Sequence, residues 1–474
     1  MTSQTSIDAD STAASDAKAA PRVRSDAAYY AIAAVVGAVA GFIGTIFHLL
    51  TDRAGKWPEL VLPYLSGLPL HLSLAALSAA MVVVAVALVR VFAPEAAGSG
   101  VQEIEGAMEG LRVLRWKRVL PVKFFGGVLA LGSGLVAGRE GPTIHMGASV
   151  AKAAWEFFGL SERDGRGLLA AGAAAGLAAA FNAPLAAILF VIEETRRQFP
   201  YGLRTYSAVI ICSAAGAVIT EAIAGVGPDM RLAVPAMPLV WLPAFLVLGG
   251  ILGVVGVAFN LALIAALDGA RTVALKVSPY LLPVVVGAAV GPLYVLRPEA
   301  TSGGEMLAVS LPGMGLPALT LAGIVLIRFT MTMASYSTGS PGGIFAPILA
   351  LSTAVGVLFG TVLDTAFHLP AGAIGAFGIA AMGGLFSATV RAPLVGMVLV
   401  AELTGAYDLL VPVIFTCVTA NLVAEALGGK PIYEMLLDRT LRLAGTPVRP
   451  PHEDEPSSAE AIGGWDERER RPER

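Results

Sequence analysis

Three stretches of this chain, residues 27–51, 60–89 and 232–267, contain no Asp, Glu, Lys or Arg. Each is long enough to cross the hydrocarbon of a bilayer, which takes about 20 residues of helix. Lipid offers the backbone no hydrogen bonds, so only helices and closed barrels span it. The period-2 alternation of barrel strands is absent, and the expected class is an all-α polytopic membrane protein. Composition agrees: 56% of the 474 residues are hydrophobic and 14% charged, against about a quarter charged in a soluble domain. A net charge of -3 leaves no basic footprint for nucleic acid. Cys212 and Cys417 stand singly in apolar runs and make no disulfide framework. The five histidines show no metal-ligand spacing, and no cofactor is expected.

Lys and Arg placement sets the orientation. Arg90, Arg112, Arg115, Lys117, Arg118 and Lys123 crowd residues 90–123, whereas the 52–67 loop holds only Arg53 and Lys56. By the positive-inside rule the 90–123 segment faces the cytoplasm, and the N-terminus with it. The apolar run after the polar N-terminus is longer than a signal-peptide core, so no cleaved signal is expected. The organisation read from this is a polar cytoplasmic segment at 1–27, a first transmembrane half at 28–225, a second at 226–445 and a charged cytoplasmic tail at 446–474. The protein is expected to be multi-pass in the cell (inner) membrane, with both termini cytoplasmic.

The apolar runs are interrupted. APEAAGSG, GREGP, FNAPL, GSPGGIFAP and VRAPL break them at intervals too short for full spans, and broken helices at membrane depth are tolerated only against protein or a wet cavity. An internal repeat is visible. Pro184 precedes Glu193, and Pro393 precedes Glu402, by the same nine residues in two Ala-Pro-Leu runs. Upstream, GREGP (138–142) pairs with GSPGG (339–343), and GSGVQE (98–103) pairs loosely with TSGGE (301–305). A repeat with broken helices points to a transport fold with its substrate near the midplane.

At each break a glycine-rich turn leads into a helix: Ser99 before VQEIEGAM, Glu140 before GPTIHMGASVAK, and Gly343 before IFAPILALSTA. A helix start exposes unpaired N–H groups and carries about half a positive charge. Three such starts aimed at one point suit a monovalent anion, because partial charges hold it without trapping it. Glycine lets the backbone approach, and Pro142 and Pro347 sit in the first turn, where the missing N–H costs nothing. GSGLVA (132–137) fits a dinucleotide fingerprint but lacks the βαβ setting that gives it meaning.

GSGVQE, GREGP and GSPGGIFAP resemble the three signature segments of the CLC chloride channel and transporter family, as do GLAAAFNAPLAAILFVIEE and GGKPIY. The resemblance runs from about residue 28 to 442 and implies a fold of two inverted, structurally related halves. It further implies a chloride held by the Ser99 and Tyr433 hydroxyls and the backbone N–H groups of Ile344 and Phe345. Tyr433 taken alone also fits an interfacial anchor, and Val101-Gln102 departs from the family's usual Ile-Pro. Ser99 is the residue type that goes with chloride in the family.

Glu140 is then the gating carboxylate, competing for the anion's place and leaving when protonated. Burial favours its neutral form while helix N-termini favour the carboxylate. Its alternatives are pairing with Arg139 or capping the next helix. Glu194 matches the family's inner proton-transfer glutamate, and Glu193 beside it is expected to help water reach that point. Glu105 and Glu402 are assigned structural or dimer-side roles, and His145 is expected to pack within its helix. Two working glutamates distinguish an exchanger from a channel, so the expected function is proton-coupled chloride exchange. The alternative is a passive voltage- or proton-gated chloride channel of the same fold. An enzyme is not expected, since no nucleophile or metal partner stands beside either glutamate. The resemblance also implies a homodimer in the lipid bilayer, with one pathway per subunit.

Overall fold

The computed structural model describes residues 25–445 apart from 197, 228, 229 and 233. Residues 1–24 of the expected polar segment and the tail from 446 lie outside the described residues. The chain forms α1 (Asp26–Gly55), α2 (Pro58–Val61), α3 (Gly67–Phe92), α4 (Val101–Met108), α5 (Trp116–Gly132), α6 (Glu140–Phe158), α7 (Glu162–Phe181), α8 (Pro184–Glu194) and α9 (Leu203–Ala224). It continues with α10 (Leu242–Lys276), α11 (Leu281–Leu296), α12 (Glu305–Ser310), α13 (Ala318–Ser337), α14 (Phe345–Phe367), α15 (Ala373–Val390), α16 (Pro393–Thr404), α17 (Leu410–Ala426) and α18 (Ile432–Ala444). No β-strand occurs among the described residues. Eight of the helical stretches are long and apolar enough to cross a membrane: α1 with α2, α3, α9, α10, α13, α14, α15 and α17.

Element order repeats. The series α3 to α9 is followed by α11 to α17 in the same sequence of long, short, broken and proline-started helices. Three-residue 3₁₀ turns, both reading Pro-Glu-Ala, precede the short helices α4 and α12 at 94–96 and 298–300. The two halves share the broken-helix design that the motifs predict. One pairing differs from expectation. Glu140 opens α6 and Phe345 opens α14, Pro142 and Pro347 are each the third helical residue, and Gly138 bridges Gly343. GREGP is therefore the counterpart of GIFAP (343–347), not of GSPGG four residues earlier. Gly/Pro-rich runs look alike at several offsets, and only the helix start settles the register.

Helices α7 and α15 are buried almost all round, whereas α3, α9, α10 and α17 leave large apolar side chains such as Val84, Val218, Val247 and Leu422 exposed. An outer layer of exposed apolar side chains around a buried core is the expected arrangement in lipid, where small residues let helix backbones approach. The α6–α7 contact shows this directly. Gly147 and Gly172 face each other so closely that a Cβ on either would collide with the other's carbonyl oxygen.

The halves interlock at α8 and α16. Glu193, near the end of α8, accepts hydrogen bonds from the N–H groups of Leu394 (3.2 Å) and Val395 (2.8 Å) at the start of α16. Glu402, near the end of α16, accepts from Leu185 (3.1 Å) and Ala186 (2.6 Å) at the start of α8. Each carboxylate satisfies N–H groups that a helix cannot satisfy itself. The exchange is reciprocal, as a two-fold relation between antiparallel helices requires, and it explains why the sequence repeats proline and glutamate at one spacing.

Candidate functional site

Backbone bonds stitch the three glycine loops together. Gly98 N–H donates to Ser340 (3.1 Å) and Gly342 N–H to Gly98 (3.1 Å), while Gly138 and Gly343 exchange bonds of 2.8 and 2.7 Å. Gly98 and Gly100 have φ of +60° and +90°, a region an L side chain enters only at a cost. These turns swing Ser99 onto the first turn of α6, where a Cβ on Gly141 would collide with the Ser99 hydroxyl. The starts of α4, α6 and α14 thus meet in the protein interior.

The residues expected to hold an anion lie at this junction. Ser99, Ile344, Phe345 and Tyr433 are all fully buried. The Phe345 ring packs against Phe181, Phe190 and Phe386 at centroid distances of 5.6, 5.5 and 4.5 Å, and Phe190 also meets Tyr433 edge-on at 6.4 Å. Tyr433 is the second residue of α18, which adds a further helix start to the junction. Asn260 holds the preceding turn through the Lys430 carbonyl (2.9 Å), and Arg439 ties α18 to Asp268 (2.7 Å). The Ser99 and Tyr433 hydroxyls approach each other without forming a hydrogen bond to any protein group. A buried hydroxyl without a partner costs about 1–3 kcal/mol, so two side by side suit an anion that accepts from both.

Glu140 is fully buried at the first position of α6. One carboxylate oxygen faces the N–H of Ala346, in the first turn of α14, at 3.5 Å, and the other has no protein partner. A carboxyl side chain thereby sits where a free anion would be stabilised by the same helix start. Arg139 points to other groups: it contacts Glu305 (3.1 Å), His48 (2.9 Å) and the Ala180 carbonyl (3.2 Å). His145, expected to pack within its helix, lies against Gly100 at the start of α4.

Glu194 occupies a different place, a polar cavity of ≈ 30 Å³ lined in part by Glu105, Glu193, Arg196, Arg391 and Glu434. That is room for about one water. Arg197, next in the chain to Arg196, lies outside the described residues. The Glu105 side chain is within hydrogen-bonding reach of Glu194, although the sequence reading set Glu105 apart from transport. Glu193 lines the same cavity while its oxygens cap α16. Tyr433 is within electrostatic reach of both Glu194 and Glu140.

Two buried cations escaped the sequence reading. Lys123 is among the charges used there to orient the 90–123 segment, yet its ammonium is fully buried and donates to the carbonyls of Gly98 (2.6 Å) and Ser99 (3.1 Å). Arg328 does the same in the second half, donating to Thr301 (2.9 Å), Ser302 (3.1 Å) and Gly303 (2.6 Å). Each thereby satisfies buried loop carbonyls. A lone basic residue inside an apolar helix was the available signal.

Comparison with known proteins adds an independent line. The family described as voltage gated chloride channel matches residues 81–425. The H(+)/Cl(-) exchange transporter ClcA of Vibrio parahaemolyticus is 44% identical over 426 residues, covering 87% of this chain and 89% of the relative. The protein of the same name from Salmonella arizonae is 42% identical over 426 residues, with 86% and 88% covered. Among solved structures, a slow cyanobacterial Cl-/H+ antiporter superposes with a TM-score of 0.83 at 35% identity, covering 89% of this chain and 99% of that one. A eukaryotic CLC transporter superposes with a TM-score of 0.73 at 22% identity, covering 86% and 73%, and shares the fold.

Proposed function

The chain belongs to the CLC chloride channel and transporter family, and we propose that it exchanges chloride for protons across the membrane. The observation that carries this reading is the Glu140 carboxylate facing the Ala346 N–H at the start of α14, beside the unpartnered hydroxyls of Ser99 and Tyr433. Chloride is held by those two hydroxyls and by the N–H groups of Ile344 and Phe345. Glu140, as a carboxylate, competes for the same helix start. Protonated, it is neutral, loses its attraction to that start, and yields the position to chloride. Deprotonated, it returns and displaces the ion. Binding of the two substrates is thus mutually linked through one side chain.

Protons reach Glu140 from the cavity at the end of α8. Glu194 and Glu105 lie within reach of each other there, and two carboxyl groups can share a hydrogen bond only when one of them carries a proton. We assign the transfer to Glu194, with Glu105 as the group that shares its proton and Glu193 at the cavity's edge. Residues 28–225 and 226–445 form the two membrane halves, both termini face the cytoplasm of a cell whose inner membrane holds the protein, and two copies associate with one pathway each.

Proton uptake by proteoliposomes under an outward chloride gradient tests this reading. Wild type drives protons inward, and Glu194→Gln stops proton movement while chloride still passes. Chloride flux without any proton movement in wild type would make the protein a channel, and proton movement untouched by Glu194→Gln would remove that residue from the path.

A further inference from the structure

The cations that orient the 90–123 segment find no task in the transport pathway, apart from Lys123. Two of them, Lys117 and Arg118, border a groove of ≈ 530 Å³ between the C-terminal end of α3 and the first turns of α5. Val91, Phe92, Pro121 and Phe125 line it as well, and all four are exposed. Its wall is thus apolar and its rim basic. Pro121 has no N–H to give the Lys117 carbonyl, so the helix surface at the groove is interrupted.

Neither Lys117 nor Arg118 has an acidic partner among the described residues; Lys117 lies 5.6 Å from the Trp116 ring centroid. Glu156, on the neighbouring helix α6, is taken up by Trp116 Nε1 (2.8 Å) and Lys152 (3.6 Å). Arg90 and Arg115, both exposed, flank the groove in sequence. Two cations therefore border one apolar cleft, with two more close by in the chain, on a helix, α3, that is long and apolar enough to span the membrane.

We propose that this groove binds an anionic phospholipid, its acyl chains along Val91, Phe92 and Phe125 and its phosphate between Lys117 and Arg118. Charge selects the occupant: basic pockets between transmembrane helices attract anionic headgroups, and each Lys or Arg close to the surface contributes about fivefold in affinity. A zwitterionic lipid fills the same apolar wall without that gain. A soluble phosphate ion makes the charge contacts but buries no apolar surface.

The test is native mass spectrometry of the full-length protein in detergent, titrated with dioleoyl-phosphatidylglycerol or dioleoyl-phosphatidylcholine. Wild type should favour phosphatidylglycerol. The double variant K117Q/R118Q should bind it roughly thirtyfold more weakly, the product of the two contributions, with phosphatidylcholine unchanged. Val91→Trp, which fills the groove and keeps both cations, should lower both lipids alike. R271Q/K276Q, at the far end of α10, should leave the preference intact. The proposal is overturned by a phosphatidylglycerol preference that survives K117Q/R118Q, by occupancy indifferent to Val91→Trp, by equal loss in R271Q/K276Q, or by displacement of the lipid with inorganic phosphate.

Discussion

The loop entering α4 and the loop entering α12 share one backbone and present different chemistry. Both follow a Pro-Glu-Ala turn, and both turn through paired left-handed residues. Gly98 and Gly100 have φ of +60° and +90°, Ser302 and Gly304 of +58° and +91°. In each, a fully buried cation from the next helix but one onward, Lys123 on α5 or Arg328 on α13, takes the loop carbonyls. Where the first loop carries the Ser99 hydroxyl, the second carries Gly303. Where the first helix opens with Val101, the second opens with Glu305, which engages Arg139 at 3.1 Å. A carboxylate on that first helical residue repels an approaching anion. The scaffold is therefore duplicated, while the anion site we propose belongs to one copy.

The largest effects should come from the shared scaffold. Arg328→Met leaves three buried carbonyls without their donor, at about 1 kcal/mol or more each, so thermal unfolding should report a loss of about 3 kcal/mol or more. Lys123→Met removes two such bonds and should cost less stability. Chloride binding separates the two: calorimetric titration should find affinity reduced in Lys123→Met and unchanged in Arg328→Met. An equal fall in both would make the two loops functionally equivalent.

Next comes the hydroxyl itself. Ser99→Ala removes one hydrogen bond to a charged partner, about 1.5–3 kcal/mol, which the same titration reads as at least a tenfold weaker chloride affinity. Ser302→Ala, which removes the hydroxyl next to Gly303 in the second loop, should leave affinity where it was.

The smallest effects concern the reciprocal caps. Glu193→Gln and Glu402→Gln each weaken one helix start and should destabilise by similar amounts, about 0.5–2 kcal/mol, in thermal unfolding. Their fluxes should then differ only if Glu193 acts on the proton cavity that it lines. Proton coupling that falls in Glu193→Gln and holds in Glu402→Gln would establish that second role.

Much of this was legible before any coordinates. Charge-free runs indicate the membrane class, and glycine turns before helix starts indicate Ser99, Glu140 and Gly343 as three starts aimed at one point, because those signals are local in the chain; Phe345 came only from the family resemblance. What escaped depends on packing between distant segments. Lys123 reads as a loop charge until α5 folds it against Gly98. Glu105 reads as a structural acid until α4 and α8 bring it to Glu194. The GREGP register could not be chosen among similar Gly/Pro strings without knowing where α14 begins. Repeated spacing of Pro184 to Glu193 and Pro393 to Glu402 was visible, but its cause, two helices capping one another, is a tertiary fact.

On the proposed mechanism, one carboxylate and chloride compete for the start of α14. Paired recording of chloride and proton flux in proteoliposomes containing wild type or Glu140→Gln tests it most directly. A chloride gradient should drive protons uphill in wild type, and Glu140→Gln should pass chloride with no proton movement. Proton transport that persists in Glu140→Gln would contradict it.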